Sequence, residues 1–313
     1  MNIICRPEEI KKPLFATIGM FDGVHRGHRS LINSVREKAC AIGIDSAVIT
    51  FREHPREILH PETHIPLLST FDEKIQLLQA AGLDSAIVFD FTPQIASLSA
   101  HDFLALLAEK YAVRGLVIGY DHRFGHNRSD GINEYKAYGR EFGIEVIQAA
   151  PFLINGYTVS SSAIREALMQ CDVTKANLML GYRFFLAGKV VDGYHIGRSL
   201  GFPTANIQLT CRNKLLPPVG VYAVTATLPD GSQHDGMMNI GYRPTIEEDH
   251  KLSVETHLFD FDGNLYGQEI IIALAGYIRN EKKYDSLDEL RAHLIKDAEA
   301  ARRIIQESAA TYI

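Results

Sequence analysis

The sequence predicts two domains, an N-terminal α/β domain with a parallel sheet and a C-terminal antiparallel β-barrel closed by one helix. Its 313 residues amount to about two domains of ~150 residues each. The first 180 residues alternate short β-branched runs with longer helical patterns, which is typical of parallel sheets with helices on both faces. After Gly181, glycine and proline become frequent and short apolar runs follow turn signals, as in antiparallel barrels. The predicted domains are 1–182 and 183–313.

Apolar runs in the N-terminal domain predict strands at 14–19, 44–51, 86–89, 115–119 and 145–149. Apolar residues at helical spacing from Leu31 to Ile42 predict the first helix, which Gly43 ends. Thr70 and Glu73 form the capping-box signature of another helix. Further helical patterns lie near 101–112 and 130–142. Ligands of such sheets bind at the carboxyl ends of the strands, so we expect the site in the loops that follow them.

The C-terminal domain shows short apolar runs that predict barrel strands at 184–191, 222–227, 237–240, 253–259 and 269–275. Ser286 and Glu289 predict the start of the closing helix. The predicted buried stripe of this helix consists of Leu287, Leu290, Leu294, Ala298, Ala301 and Ile305.

Composition narrows the possible partners. The net charge is −6 and is shared equally by the two predicted domains, so neither offers a basic surface for nucleic acid. The chain contains 4 cysteines without regular spacing, which argues against a disulfide framework and for a reducing compartment. The N-terminus lacks the apolar core of a signal peptide, and no apolar run reaches the ~18 residues of a membrane span. We therefore expect a cytoplasmic protein that binds neither membranes nor nucleic acid.

The segment GMFDGVHRGH, residues 19–28, lies where a predicted strand passes into a helix. Its glycines allow a close backbone approach, and the N-terminus of the helix attracts anions. His25 and His28 are three residues apart, so both are expected to face one ligand from the first helical turn. The pattern favours a polyphosphate, although a zinc site and a purely solvated pair of histidines remain alternatives. The P-loop signature is absent from the chain.

This segment resembles the HxGH nucleotidyltransferases, which have a Rossmann-like fold. GYDHRFG at 119–125 and VSSSAIR at 159–165 are similar to the FMN adenylyltransferase half of bifunctional riboflavin kinase/FAD synthetases. The resemblance implies that three serines and an arginine meet the triphosphate: Ser160, Ser161, Ser162 and Arg165. It also implies ATP or flavin contacts for Gly19, Phe21, Asp22, Gly23, Asp121 and Arg128. The chain departs from the family pattern at His122, Ser162 and Ala163 and in the position of the glycine after Arg128.

The second informative segment is GKVVDGYHIGRSLGFPTANI at 188–207. Its glycine-rich part can pack on phosphates, and Pro203 fixes the approach to the residues that follow. Thr204 and Asn206 alternate on an extended stretch, so both side chains are expected to face one site. Hydroxyl and amide oxygens suit a Mg²⁺ ion that arrives on ATP. The alternative interpretation is a hairpin with a glycine-rich turn, which leaves PTAN unexplained.

This segment resembles the signature of riboflavin kinases, and NIGYRPT at 239–245 and VETHLFDFDGNLYG at 254–267 follow in the order of the family. The resemblance implies that Glu255 is the base that accepts the proton of the riboflavin 5′-hydroxyl. It implies that Thr204 and Asn206 hold Mg²⁺. It also implies nucleotide or flavin contacts for Gly193, Gly197, Arg198, Asn239 and Arg279.

The stretch LFDFDGN, residues 258–264, also resembles two unrelated motifs. The aspartyl-phosphate motif of a phosphatase superfamily needs a hydroxyl residue where Asn264 stands. A calcium loop needs a bidentate glutamate where Ile271 stands. Asp260 and Asp262 are therefore interpreted as turn residues.

Together the two resemblances imply a bifunctional enzyme with an α/β adenylyltransferase domain and a barrel kinase domain. The kinase would convert riboflavin and ATP to FMN and ADP, and the adenylyltransferase would convert FMN and ATP to FAD and pyrophosphate. Two alternatives remain at this stage. In the first alternative, only one of the two domains retains its activity. In the second, the chain is a non-catalytic flavin-binding regulator on the same scaffold.

Overall fold

The computed structural model describes residues 1–59, 62, 64–126, 129–193, 200–211, 213–242 and 252–309. The chain forms two compact units, Met1–Ser161 and Ser162–Ile313. The predicted fold class is confirmed, with a parallel sheet in the first unit and a closed antiparallel barrel in the second.

The described part of the first unit contains a six-stranded sheet of order β1-β4-β3-β2-β5-β6. Its strands are β1 (Asn2–Ile4), β2 (Leu14–Ile18), β3 (Asp45–Phe51), β4 (Ser85–Phe89), β5 (Val113–Ile118) and β6 (Glu145–Gln148). All neighbouring strands pair in parallel. The strands predicted from the sequence are present within two residues, and β1, of only three residues, was not predicted.

Helices cover both faces of this sheet. They are α1 (Arg26–Ile42), α2 (Pro55–Leu59), α3 (Phe71–Ala80), α4 (Pro93–Ser97), α5 (Ala100–Lys110) and α6 (Ile132–Phe142). Two core clusters result, because side chains alternate along each strand. Leu14, Ala16 and Ile18 of β2 belong to one cluster, whereas Phe15 belongs to the other. Burial on both faces explains why β2 is almost entirely apolar.

The two predicted helix boundaries of this unit are confirmed by their backbone geometry. α1 ends at Gly43, which has φ +71°, a conformation that favours glycine. α3 begins at a complete capping box, in which the Glu73 amide donates to Thr70 Oγ1 and the Thr70 amide donates to Glu73 Oε2. Each pair satisfies amide groups that the first turn of a helix leaves without partners.

The strand order places a crevice between β2 and β5. From β2 the chain adds β3 and then β4 on one side, whereas β5 pairs with the other side of β2. The loops after β2 and β5 therefore diverge at a topological switch point, which is where open α/β sheets bind ligands. GMFDGVHRGH follows β2 and GYDHRFG follows β5, so the fold brings these two predicted segments to the same edge.

A two-stranded hairpin, β7 (Leu153–Ile154) and β8 (Tyr157–Thr158), ends the first unit. The second unit begins with α7 (Ser161–Met169), whose first residue still belongs to the first unit, and α8 (Val173–Leu180). The hairpin and α8 were not predicted. The domain boundary near residue 182 stays a prediction.

The described strands of the second unit close a barrel of order β10-β13-β12-β11-β14-β9. They are β9 (Phe185–Val191), β10 (Ala205–Leu209), β11 (Gly220–Thr227), β12 (Gln233–Tyr242), β13 (Leu252–Leu258) and β14 (Glu269–Arg279). All neighbouring pairs are antiparallel. The predicted runs fall on five of these strands, and the extended PTAN segment enters the sixth, β10.

The closing helix α9 (Leu287–Ala309) packs on the outer face of the barrel wall. Ala301 and Ile305 belong to one core cluster with Val221 and Ala223 of β11. The cap is confirmed at Ser286, whose hydroxyl accepts from the Glu289 amide. The prediction for Leu287 is wrong, because its side chain is 60% exposed. It lies in the first turn, before the helix meets the barrel wall.

Candidate active sites

The turn after β2 has an unusual backbone. Phe21 has φ +52° and Val24 has φ +34°, although neither is glycine, and Gly23 has φ +75°. Such conformations cost about 1–3 kcal/mol for a residue with a side chain and persist where the surroundings impose them. Phe21 is buried and its ring lies 5.0 Å from that of His28. The turn is therefore a rigid, strained loop at the carboxyl end of β2.

Asp22 holds this turn rather than presenting its charge to a ligand. Its buried carboxylate accepts hydrogen bonds from the Leu68 amide at 3.1 Å and the Ser69 amide at 2.9 Å. The Ser69 hydroxyl in turn accepts from the Gly23 amide at 2.9 Å. On the other side, the Ser161 hydroxyl donates to the Asp22 carbonyl oxygen at 2.9 Å. The turn is thus tied to the segment before α3 and to the start of α7.

The two histidines lie together, but in a different way from the prediction. α1 begins at Arg26, so His25 is its N-cap residue and lies in extended backbone before the helix. Its Nδ1 atom accepts from the His28 amide at 3.2 Å. The two rings stack with centroids 3.6 Å apart. A Cβ atom on Gly27 would lie 3.2 Å from the His25 ring, so glycine keeps this stack accessible.

His28 is held in its neutral form. Burial lowers the pKa of His28 well below its ordinary value, and the nearby His25, His122 and Lys74 side chains lower it further. Its Nδ1 atom is buried and has no hydrogen-bond partner among the described residues. The Nδ1 atom of the neutral His28 ring can therefore form a further hydrogen bond at the carboxyl edge of the sheet.

Lys74 is a residue of this site that the sequence did not indicate as functional. It is buried on α3, and its Nζ atom donates to the Phe51 carbonyl oxygen at 2.7 Å and to Thr50 Oγ1 at 3.4 Å. Burial lowers the pKa of Lys74 to about 8, and the charge of Asp22 acts in the opposite direction. The sequence could have indicated that Lys74 is buried, because Lys74 lies one helical turn before Leu78 and so on the same face of α3.

The serine segment lies beside the histidine turn. A Cβ atom on Gly27 would lie 3.4 Å from the Val159 carbonyl oxygen, so residue 159 abuts the first turn of α1. Ser160 and Ser161 follow at the start of α7, whose first turns also carry Ser162 and Arg165 in the second unit. Asp121 is exposed in the loop after β5. Arg128 lies outside the described residues.

In the barrel, five paired residues form one row across five adjacent strands. Asn206 pairs with Glu255, Glu255 with Asn239, Asn239 with Val221, and Val221 with Arg279. All five line one cavity of about 410 Å³ on the wall that faces α9. We call it the wall cavity. With strands ~4.8 Å apart, the row measures about 19 Å along the wall from Asn206 to Arg279.

One end of the row gathers the predicted kinase residues. The Thr204 hydroxyl lies 3.5 Å from Glu255 Oε2. A Cβ atom on Gly193 would collide with the carboxamide of Asn206, so the backbone at Gly193 packs directly on this residue. Gly197 and Arg198, also predicted here, lie outside the described residues.

His257 supports the same end, although it was not predicted. It lies two residues after Glu255 on β13 and lines the wall cavity, which the alternation of a strand could have indicated. Its Nδ1 atom lies 2.8 Å from the Pro203 carbonyl oxygen, so Nδ1 carries the proton. Burial lowers the pKa of His257, which favours the neutral ring. This contact fixes the chain just before Thr204.

A second cavity, of about 360 Å³, lies on the other face of β13. Thr256 lines it together with Val190, Leu258 and Tyr266. Thr256 points away from its neighbour Glu255 because successive strand residues alternate. We call this the barrel cavity. Thr204 lines both cavities, so the two meet at the residue that touches Glu255.

The far end of the row is an ion pair. Arg279 Nε donates to Asp297 Oδ1 at 2.9 Å, and a terminal nitrogen donates to Asp297 Oδ2 at 2.6 Å. Asp297 is buried on α9 and lines the wall cavity. This bidentate pair joins β14 to α9. The role of Asp297 could not be seen in the sequence, because it depends on which face of the helix meets the barrel.

Asp260 behaves as the turn residue that the sequence predicts, whereas Asp262 lines the barrel cavity. Asp260 has φ +54°, and its carboxylate pairs with Arg302 of α9 at 2.9 Å. Across the described part of the chain, no three His, Cys, Asp or Glu side chains cluster closely enough to hold a metal ion. In the same described part, no helix combines the length and apolar character needed to cross a membrane.

Known proteins match this chain over nearly its whole length. It is 36% identical over 305 residues to the bifunctional riboflavin kinase/FMN adenylyltransferase of Pseudomonas fluorescens, covering 97% of this chain and 96% of that relative. It is 38% identical over 287 residues to the protein of that description from Haemophilus influenzae, covering 91% and 92%. A crystal structure described as a macrolide-efflux protein from Streptococcus pneumoniae superposes with a TM-score of 0.86 at 30% identity, covering 96% and 98%.

The fold and the two sites define a two-domain transferase that uses a nucleoside triphosphate. The family model for FAD synthetase matches residues 8–163, and that for riboflavin kinase matches residues 180–305. The chain belongs to the family of bifunctional riboflavin kinase/FMN adenylyltransferases. Both domains are present, which confirms the bifunctional enzyme expected from the sequence.

Proposed function

We propose that Glu255 is the base of the kinase reaction and that the two cavities of the barrel unit hold its two substrates. The observation that carries this proposal is the position of Glu255 beside Thr204, where the wall cavity and the barrel cavity meet. Riboflavin occupies the wall cavity with its 5′-hydroxyl at Glu255. ATP occupies the barrel cavity with its γ-phosphate at Thr204. The products are FMN and ADP.

The shapes and linings of the cavities support this assignment. The wall cavity is long and lined by apolar side chains of the barrel and α9, including Val221, Leu290 and Leu294, which suits a flat aromatic ring system. Glu255 accepts the hydroxyl proton as the hydroxyl oxygen attacks the γ-phosphorus of ATP in line, and the bond from that phosphorus to the bridging oxygen breaks with ADP as the leaving group. Because positioning dominates phosphoryl transfer, one carboxylate at the junction is sufficient.

Mg²⁺ fits the same junction. Thr204 and Asn206 offer a hydroxyl and an amide oxygen next to the Glu255 carboxylate, and Mg²⁺ prefers such hard oxygen ligands together with substrate phosphates. These two residues would hold the ion, which supplies charge neutralisation on the transferred phosphoryl group. The Asn206 side chain can adopt this position only because residue 193 is glycine, since a Cβ atom there would collide with the Asn206 carboxamide.

In the first unit we propose that His25 and His28 stabilise negative charge on the triphosphate while FMN attacks the α-phosphate. FMN already carries an anionic phosphate, so the reaction needs no strong base. The triphosphate would raise the pKa of His28 again, because an anion favours the protonated ring. Ser160, just before α7, adds a hydroxyl group, whereas Ser161 holds the turn through its bond to the Asp22 carbonyl oxygen. Arg165 stays a prediction of the sequence. The products are FAD and pyrophosphate.

The four cysteines are free thiols in the described structure. Together with the composition, this supports a reducing, cytoplasmic location for the enzyme.

Two matched variants separate the two activities. We expect Glu255→Gln to reduce kcat for FMN formation by ~10²–10⁴-fold, because Gln cannot accept the hydroxyl proton. The KM for ATP and the formation of FAD from supplied FMN should stay near wild type. His28→Gln should have the opposite pattern, with FMN formation retained and FAD formation lost. Flavins separated by chromatography after incubation with ATP and Mg²⁺ give both rates.

The same assay tests the alternatives. A wild-type protein that forms FMN without FAD, or the reverse, retains only one activity. A protein that binds riboflavin and forms neither product is a non-catalytic binder. Kinase activity of Glu255→Gln within about threefold of wild type would mean that positioning and the metal suffice without a base.

A further inference from the structure

Tyr284 has a buried hydroxyl group that the protein leaves unsatisfied. It lies in the loop between β14 and α9 and lines the wall cavity. Its hydroxyl oxygen is buried and has no hydrogen-bond partner among the described residues. A buried polar group without a partner destabilises a folded protein, so such groups are rare and call for an explanation.

The ring that carries this hydroxyl is held in place. The Arg279 guanidinium lies 5.8 Å from its centroid and the Lys282 ammonium 5.3 Å, both within cation–π range. The His293 ring lies 4.9 Å away. Burial raises the pKa of Tyr284, and the charge of Asp297 also raises it, whereas Arg279 and Lys282 lower it. The hydroxyl therefore keeps its proton near neutral pH and can both donate and accept.

The neighbouring polar groups are already engaged. Nε and one terminal nitrogen of Arg279 donate to Asp297, and the other terminal nitrogen donates to the Asn280 carbonyl oxygen. Lys282 pairs with Glu289 at 3.0 Å. At this end of the wall cavity, the Tyr284 hydroxyl is thus a buried polar group whose hydrogen bonds are still to be made within the described structure.

The row of paired residues sets which part of riboflavin reaches Tyr284. Glu255 and Arg279 are three strand spacings apart, about 14 Å along the wall. With the 5′-hydroxyl at Glu255, the ribityl chain runs along the row, and the isoalloxazine ring lies toward Arg279 and α9. The pyrimidine edge of that ring carries two carbonyl oxygens and one N–H, whereas its opposite edge carries only methyl groups.

We propose that Tyr284 is a specificity-determining residue of the kinase, whose hydroxyl hydrogen-bonds the pyrimidine edge of the isoalloxazine ring. The proposal rests on the riboflavin site assigned above. It explains why the protein keeps an unsatisfied hydroxyl, since the substrate supplies the missing partner. It also orients the ring, because the methyl-bearing edge offers Tyr284 nothing to bond.

The test is Tyr284→Phe in the full-length protein, because the change removes only the hydroxyl. Without ligand, the variant should melt at the wild-type temperature or up to ~4 °C higher, since an unsatisfied group is lost. The KM for riboflavin should rise ~3–10-fold, the size of one hydrogen bond. The kcat for FMN formation, the KM for ATP and FAD formation from supplied FMN should not change.

Tyr277→Phe is the matched control. The Tyr277 hydroxyl already donates to Asn280, and Tyr277 does not line either cavity. This variant should lose a little stability and keep the KM for riboflavin. A lower melting temperature in Tyr277→Phe and an unchanged or higher one in Tyr284→Phe separate a satisfied hydroxyl from an unsatisfied one.

Fluorescence titrations with riboflavin and with lumiflavin, which has the same ring without the ribityl chain, locate the contact. An equal loss of affinity for both in Tyr284→Phe supports the proposal. A loss confined to riboflavin, an unchanged KM for riboflavin or a lower melting temperature overturns it. The wild-type protein must convert riboflavin to FMN in the same assay. If it does not, the proposed function is overturned and not the role of Tyr284.

Discussion

Lys74 keeps a positive charge where almost no water reaches it. The residue is 4% exposed, and its ammonium group donates to oxygen atoms at the end of β3. Burial lowers its pKa from 10.5 to about 8 in the folded protein. The group therefore opposes folding while it is charged, and that opposition disappears once both states are neutral.

The lowered pKa of Lys74 predicts that the stability of the protein depends on pH. Between pH 8 and 10.5 the unfolded chain holds a proton on Lys74 that the folded protein has released, so stability should rise with pH across this window. A difference of 2.5 units corresponds to about 3 kcal/mol. Urea unfolding of wild type and Lys74→Met at pH 8 and at pH 10.5 measures the change in the free energy of unfolding. Only the wild-type protein should become more stable by this amount at the higher pH.

Lys12→Met provides the control for the alkaline titration of other groups. Lys12 is exposed and pairs with Asp45 at 3.3 Å, so this variant should keep the wild-type pH dependence. Parallel stability curves for wild type and Lys74→Met would show that Lys74 does not carry a desolvated charge. Lys74→Met should also raise the pKa of His28, because a nearby positive charge is lost, and this is measurable by NMR titration.

At the level of elements, the seating of α9 depends on one residue without a side chain. A Cβ atom on Gly276 of β14 would lie 2.6 Å from Ile304 Cγ2, closer than packed atoms approach. The helix contributes Leu290, Leu294 and Asp297 to the wall cavity. The distance between α9 and the barrel wall therefore sets the width of the wall cavity, where we propose that riboflavin binds.

Gly276→Ala should consequently affect stability and substrate binding together. We expect a loss of ~1–3 kcal/mol from overpacking and a several-fold rise in the KM for riboflavin, with FAD formation from FMN unchanged. Gly231→Ala is the control, because Gly231 has φ +83° in a turn with free space around it. It should destabilise the protein by about 1 kcal/mol without changing the KM. A normal KM in Gly276→Ala would show that α9 moves without disturbing the cavity.

Elements with strong local signals were predictable, and elements that depend on distant partners were not. The Thr70–Glu73 capping box and the left-handed Gly43 lie within the segments they terminate, so the sequence displays them. β1 has only three residues and exists because β4 supplies its hydrogen-bond partners. The exposure of Leu287 was not predictable either, because helical periodicity does not say where the barrel wall ends.

At the level of the molecule, α7 and α8 belong to the compact unit of the barrel. Asn177 of α8 is fully buried, and its side chain donates to the Leu274 carbonyl oxygen and accepts from the Phe184 amide. Both bonds satisfy backbone groups of the barrel unit. A barrel fragment that begins after α8 lacks them.

Two fragments test where the barrel domain begins. We expect residues 162–313 to fold and retain kinase activity. Residues 183–313, the domain predicted from the sequence, should be less stable by about 2–4 kcal/mol because two buried backbone groups lose their partner. Urea unfolding of both fragments measures the difference. Asn177→Asp in the longer fragment is the control, since a carboxylate cannot donate to Leu274. Equal stability of the two fragments would support the boundary near residue 182.

The sequence indicated both sites because their residues lie in contiguous motifs. Gly193, Thr204 and Asn206 come from one segment, and the barrel brings Glu255 to them by strand pairing. Asp297 and Tyr284 were missed because they reach the cavity from α9 and from the loop before it. Nothing local distinguishes them from surface residues of an amphipathic helix and its lead-in. The resemblance also implied a binding role for Asp22, but its carboxylate accepts hydrogen bonds from the Leu68 and Ser69 amides and so holds the turn.

Glu255 and Thr256 alternate across the wall, so the role proposed for Glu255 depends on the register of β13. A slip of β13 by one residue against its neighbours would send the carboxylate into the barrel and the threonine out to α9. The junction also needs β10, which joins β13 through the pairs Ala205–Thr256 and Asn206–Glu255 and so helps to close the barrel. If Glu255 is the base, a barrel in which β10 has not yet paired with β13 should lack kinase activity even when its other strands and its helix have formed. We therefore expect kinase activity to recover during refolding no earlier than the closure of the barrel in its correct register.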